Sequence, residues 1–502
     1  VIIADLSGTF INAPLPSFSG ERQITFIMSI KNNVVVLTSG LLMLSASLSA
    51  QTKRFDRFTI GGLVKDTASS QPARHRALLI GARNVGIAFG NAKNTTGFRF
   101  NAVDHGLGTV NGLNFTLWRP KNNPGSRING VAVGLVAPEA TQVNGISFGL
   151  VGVTGGYING LSAGIVGVGA TEAVNGVSFG AGAVASNKDV NGLSVGGLAV
   201  AAGENIRGIN LGGLAVGSGG TIRGITLAGV GIGAGDNLRG FSFTFGGSGA
   251  GGQMRGIHLA GLGIGAGDGM RGVMIGGLGA GVGGDARGIV AGGFGAGVGG
   301  DLRGFALSAG GVGVADNARG LVFGGLGAGV GGNLRGFALS AGGAGVGGNA
   351  RGIVGGGLGA GVGGSMTGLL IGGLGAGVGD DFNGIGIGGL GIGAGGTARG
   401  VFLGGLGVGA EHVRGIAIGG ARLESKTMKG GALTLGMNST NEFTGVSVAV
   451  AHNRIKGTAR GIQIALVNYA RNLQGLQIGL INTAKNNRPG LRTLPFANFH
   501  LD

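Results

Sequence analysis

Ten Arg-Gly pairs recur at intervals of 16 residues, beginning at Arg207, Arg223, Arg239, Arg255, Arg271, Arg287, Arg303, Arg319, Arg335 and Arg351. A guanidinium group is permanently charged and offers a planar fork of N–H donors to carboxylate, phosphate or sulfate oxygens. If successive repeats stack as neighbouring strands, the ten groups form a column with about 5 Å between members. Like charges that close repel one another. Such a column must point into water, alternate with acidic turn residues, or meet an anionic surface. The chemistry on offer is contact with lipopolysaccharide, acidic polysaccharide or extracellular nucleic acid, and the alternative is plain solvation of the repeats. Specific nucleic-acid binding is not expected, because the aromatic residues on which bases stack are not interleaved with the arginines. In earlier repeats the same slot holds Asn111, Asn129, Asn144, Asn159, Asn175 and Asn191, each followed by Gly. Stacked asparagines predict an amide ladder, a stabilising device in repeated strands.

Other chemistry is hard to find. His75, His105, His258, His412, His452 and His500 are too scattered to share a metal ion. Asp236, Asp268, Asp285, Asp301, Asp316, Asp380 and Asp381 recur between repeats, but without the nonapeptide spacing of calcium-binding β-rolls, and are expected to be turn residues. Strings of the GxGxxG type abound near Gly263 to Gly269. They arise by chance in so glycine-rich a chain and lack the strand-to-helix context of a nucleotide site. There is no GxSxG elbow and no phosphate-binding loop. No catalytic residue, metal or cofactor is expected. With no cysteine in the chain, disulfide and thiolate chemistry are excluded.

The elements that would position the arginines follow from composition and period. Of 502 residues, 124 are glycine, a quarter of the chain, against about 7% in an average protein. That much glycine is incompatible with helices. Eight prolines and no strict G-X-Y period exclude collagen. Disorder is disfavoured by 43% hydrophobic residues and a mean hydropathy of +0.40. Within one repeat, Arg207 to Ile222, apolar residues alternate at Ile209 and Leu211, a signature of a short strand. A Gly-Gly pair follows, and then a second alternation of opposite apolar parity. One strand cannot reverse its inward face without a bulge. Two short strands joined by a glycine corner account for the reversal, with Ile209 and Leu211 inward and the glycine after each Arg slot at a corner needing positive φ. The fold expected is all-β: a single solenoid of about 25 coils of ~16 residues, on the order of 120 Å long. Its second strand carries alternate glycines, Gly325, Gly327 and Gly329, then Gly357, Gly359 and Gly361. They predict a bare face suited to packing against a second rod or a flat partner.

The ends differ from the middle. Residues 28–50 have the pattern of a secretory signal peptide: Lys31, an apolar run from Val34 to Leu48, and small residues up to Ala50. Residues 1–27 then read as an upstream extension, 51–84 as an N-terminal cap, 85–459 as the glycine-rich array, and 460–502 as amphipathic closing repeats with a cap. The tail repeats a G-x-Q-I-x-L-[VI]-N unit at Gly461–Asn468 and Gly475–Asn482 and continues with Leu494-Pro495-Phe496-Ala497-Asn498-Phe499. In this it resembles glycine-rich bacterial surface-repeat proteins of unknown function. That resemblance covers residues 460–500 best and implies export and a cell-surface or outer-membrane setting in a Gram-negative bacterium. It brings no active site, and the Arg-Gly middle departs from the Asn-Gly pattern of the family. Three roles are compatible with the sequence: a secreted or surface-attached structural or adhesive rod, an outer-membrane β-barrel, and a solenoid binding ice or a crystalline polymer. A net charge of +17 inclines all three towards anionic partners.

Overall fold

A computed structural model describes residues 77–121 and 123–501. The chain divides into two units, Val1–Leu44 and Ser45–Asp502, and every described residue lies in the second. The expected signal peptide and most of the expected N-terminal cap fall outside the described residues.

All regular structure among the described residues is β. The chain winds as a β-solenoid of about 24 coils of ~16 residues. One coil shows the plan. A long strand, Leu302–Ser308, is followed by a corner at Ala309 and Gly310. A short strand, Gly311–Val314, is followed by a turn through Ala315, Asp316 and Asn317. The next coil repeats this directly above. Leu302 pairs with Ala318 and Ser308 with Gly324 in a parallel ladder, while Gly311 pairs with Gly327 and Val314 with Val330. The stack therefore has a long wall and a short wall, each built from parallel strands in register. Towards both ends the short strand runs on into the following long strand, as in Gly152–Gly164 and Gly407–Gly419. This parallel stacking rules out the barrel left open by the sequence, whose strands would be antiparallel.

The core is thin and mixes small side chains with one large apolar column. In the same coil Leu302, Ala306, Ser308, Val312 and Val314 are all buried. They stand at even spacings around the coil, and a 16-residue period keeps that parity from coil to coil. The expected inward set of the long strand is therefore corrected. Ile209 is 44% exposed, while Asn210 beside it is fully buried. The apolar parity does reverse along the coil, but the inward face does not. The larger apolar residues two and four after the Arg slot point out, while the residue before the slot, such as Ile206, Leu238, Met254 or Leu302, points in, together with mostly small residues such as Ala306 and Ser308. The parity of the permanently charged arginines decides the direction: Arg207, Ile209 and Leu211 share one face, and that face is outward.

The glycine after each Arg or Asn slot does have positive φ, from 108° to 148° between Gly97 and Gly475. It does not lie at a corner. Gly304, at φ 134°, sits inside the long strand, stacked on Gly288, whose carbonyl oxygen would lie 2.1 Å from a Cβ there. Conformation and close approach both demand glycine at this position.

Polar ladders run inside the ends. Arg99 is buried with Asp104, whose carboxylate accepts its Nη1 at 2.5 Å, and Nη1 also donates to Asn114 Oδ1 at 2.7 Å. In the tail, Asn438 donates to Asn453, Asn453 to Asn468 and Asn468 to Asn482, at 3.0, 3.1 and 2.8 Å. Gln477 donates to Gln463 at 2.7 Å. The repeated Gln and Asn of the tail unit are thus two buried amide ladders. Each end of the stack closes with an antiparallel strand: Ala77–Ala82 on Val85–Gly90, and Thr493–His500 on Val467–Ala484.

Candidate anion-binding face

The Arg slot is the second residue of the long strand in most coils, so the register of the wall sets the column. Arg303 pairs with Arg319, Arg319 with Arg335, and Arg335 with Arg351. The same ladder continues down through Arg207 onto Asn191. Because Leu302 points in, Arg303 points out. Among the described residues, ion pairs join Arg99, Arg119, Lys188, Arg422 and Lys426 to carboxylates. No carboxylate among them pairs with any arginine from Arg207 to Arg351. Arg255 donates Nε and Nη2 to Gln253 Oε1 at 3.1 and 2.6 Å, and the charge of the column is left for solvent or an external anion to balance.

Two residues before each arginine runs a second column on the same face. Asp301 Oδ1 accepts both the backbone N–H and the Nδ2 of Asn317, at 3.1 and 3.0 Å. Asn317 Oδ1 accepts the same pair from Asn333, at 2.9 and 3.0 Å, and the backbone ladder goes on to Asn349 and Ser365. These amides and Arg303, Arg319, Arg335 and Arg351 line one groove of about 600 Å³. Hydrogen bonds from Asn317, helped by the nearby Arg303 and Arg319, hold the Asp301 carboxyl below its usual range. Between Arg207 and Arg351 this column carries only two carboxylates, Asp285 and Asp301. The groove is therefore basic with neutral donors beside it, an arrangement suited to an extended polyanion.

In the early coils the slot is an amide ladder. Asn129 donates to Asn111, Asn144 to Asn129, Asn159 to Asn144, Asn175 to Asn159 and Asn191 to Asn175, at 2.7 to 2.8 Å. The six glycines of the second strand divide into two sets. Gly325 and Gly357 lie in corners, where a Cβ would meet the previous coil's carbonyl at 1.9 and 2.1 Å. Gly327, Gly329, Gly359 and Gly361 face outward from the short wall, and a Cβ on any of them would meet nothing closer than 3.6 Å. Leu326, between Gly325 and Gly327, is 76% exposed. Among the described residues no three acidic or histidine side chains are grouped to hold a metal ion. His258 is buried, with Nδ1 2.8 Å from Ser242 Oγ, and burial lowers its pKa.

Sequence reasoning missed the apolar half of this face. Phe305, two residues after Arg303, is 48% exposed. The columns two and four residues after the Arg slot, and the corner beyond them, are apolar and outward over much of the stack. The signal was available: they share the parity of the arginines, which cannot be buried unpaired. Comparison with protein-family models, curated proteins and solved structures finds no match to this chain.

Proposed function

We propose that this chain is an exported structural or adhesive repeat rod with no catalytic role. It stands at the outer surface of a Gram-negative bacterium, and its basic column attaches it to an anionic surface polymer, lipopolysaccharide or acidic polysaccharide. The observation that carries the reading is the in-register column of ten arginines without carboxylate partners among the described residues. Export is supported by the signal-like segment at 28–50, and the surface setting by the likeness of the tail to bacterial surface-repeat proteins. A stack whose residues serve mainly to repeat one coil, with no grouped acid, base and nucleophile recognised in it, suits a structural role.

The test replaces Arg255, Arg271, Arg287, Arg303 and Arg319 with Asn, the residue that fills the slot in the early coils. Retention on immobilised acidic polysaccharide and on whole cells is expected to weaken, and parental retention to fall with ionic strength. Retention that is unchanged by the substitutions and insensitive to salt overturns the reading.

A further inference from the structure

The long wall is apolar on its outside. Above Arg303 the outward residues are Phe305 and Leu307, and register stacks Phe305, Leu321 and Phe337 in one column and Leu307, Phe323 and Leu339 in another. The corner beyond continues the band. Leu198, Leu214, Leu278, Phe294, Leu326 and Leu358 occupy one corner position, seven residues after the Arg or Asn slot, and all are exposed. Trp118, the only tryptophan in the chain, stands at that position in the coil of Asn111 and is 61% exposed. Across the wall the order is therefore amide ladder, arginine column, two apolar columns, apolar corner. An exposed apolar surface that runs over many coils exceeds what monomeric proteins leave to water.

From this order we infer that the long wall docks on an anionic lipid bilayer, with the apolar corner and columns in the interfacial region and the arginines at the level of the lipid phosphates. This rests on the proposal that the basic column is an attachment surface, and it names the partner. Charge decides for lipid over a second copy of the chain. If two long walls met with the twofold axis across the stack, arginine column would face arginine column. With the axis along the stack, each column would be buried unpaired against the other copy's apolar corner. Both carry a large desolvation or repulsion cost. A phosphate-bearing leaflet takes the apolar columns and the arginines together, because Arg extends its charged head towards the headgroups while its stem stays in apolar surroundings. Solenoid geometry permits this. Backbone groups at the corner are already paired between coils: Leu326 N–H donates to Gly310 O at 2.8 Å, Leu374 to Leu358 at 2.7 Å and Leu406 to Leu390 at 2.6 Å. Contact with lipid then strands no peptide group. Tryptophan at the corner suits the same depth, since its ring is amphipathic and favours the membrane interface.

Flotation with phosphatidylcholine vesicles, with and without phosphatidylglycerol, tests the inference. The chain is expected to float with the anionic vesicles, and Trp118 fluorescence to be quenched there by brominated phosphatidylcholine. Two variant sets separate the parts. Leu326→Ser, Leu358→Ser and Leu374→Ser change exposed corner residues, so folding is retained. They should lower vesicle affinity roughly tenfold or more while leaving retention on soluble acidic polysaccharide unchanged. Arg303→Asn, Arg319→Asn and Arg335→Asn should lower affinity for anionic vesicles by a similar factor and narrow the preference over neutral ones. Polysaccharide retention without flotation or quenching overturns the lipid inference and leaves the rod reading standing. Flotation that the leucine set does not weaken, or a stable dimer that protects Trp118 without vesicles, also overturns it.

Discussion

Gly304 and Arg303 are neighbours with opposite tolerances. Gly304 combines φ of 134° with a carbonyl 2.1 Å from where its Cβ would be. Gly304→Val is expected to cost well over about 1 kcal/mol, through backbone strain and a clash between stacked coils. Arg303→Asn should shift stability little, since Asn191 occupies the same ladder directly under Arg207. Comparing thermal midpoints checks the pair, and equal midpoints would remove the argument from the stacked glycines. His258 adds a pH dependence. It belongs to an interior column, three residues after the Arg slot, that is Ser at 147, 162, 178, 194 and 242 and becomes Met274, Val290 and Ala306 further on. Burial lowers its pKa. Near pH 6.5 and below, the unfolded chain takes up a proton that the folded chain refuses, so stability is present above that pH and is lost as pH falls through the folded value. His452 is shifted the same way by burial and Arg454. The thermal midpoint should therefore drop between neutral and mildly acidic pH, and His258→Ser, copying Ser242, should flatten part of that drop. An unaltered pH profile in the variant would place the titration elsewhere.

At the scale of the strand, the period was open to reading and the direction was not. The 16-residue spacing of Arg207 through Arg351, the two strands per coil and the positive φ of the slot glycine all follow from residue types alone. Burial of Ile209 and Leu211 does not, because alternation shows that a strand has two faces without showing which one is inside. Their parity matches that of Arg207, and the arginine was the better guide. Charge is the physical reason: an unpaired arginine stays in water and takes its parity partners with it. The interior column three residues after the slot takes Ala306 between Val290 and Val322, and where a ring enters nearby, a neighbouring position is glycine. Phe382 and Phe402 enter with ring centroids 5.1 Å apart, and Gly386 lies beside them, where a Cβ would come within 2.6 Å of the Phe382 ring. Inverted substitution costs follow. Ala306→Phe should destabilise by about 1–3 kcal/mol through overpacking, whereas Phe305→Ser, at an exposed position, should change stability by less than about 1 kcal/mol. Denaturant midpoints measure both, and a larger loss for Phe305→Ser would mean that the apolar columns face inward after all. The groove beside the arginines was half legible for a similar reason. The cations stand out in the sequence, but the amide column from Asp301 to Asn349 lines up with them only once the coils are in register.

For the molecule as a stack, the ends are the vulnerable part. Parallel coils present a full row of unpaired N–H and C=O groups at each open edge, a template for any other strand. Among the described residues the chain covers the outermost coil at both ends with a short strand that reverses direction. Arg83 and Asn84, at φ 50° and 67°, make the tight turn that lays Ala77–Ala82 antiparallel on Val85–Gly90. At the other end Asn498 Nδ2 donates to Asn482 O at 3.1 Å, fixing Thr493–His500 over the last long strand. That closing strand also covers the end of the amide ladder through Asn453, Asn468 and Asn482. Inside the stack each coil already pairs above and below, so most of its stability comes from neighbours and is insensitive to what happens many coils away. Removing residues 487–502 should therefore leave the strand content nearly intact but uncover the edge of Val467–Ala484. The shortened chain should associate end to end, its mass in light scattering rising with concentration while the full chain stays constant. Added salt should not dissolve that association, because it is held by backbone pairing rather than by charge, and this separates it from contacts made through the basic column. A shortened chain that stays monomeric at all concentrations would show that the closing strand is dispensable as a guard.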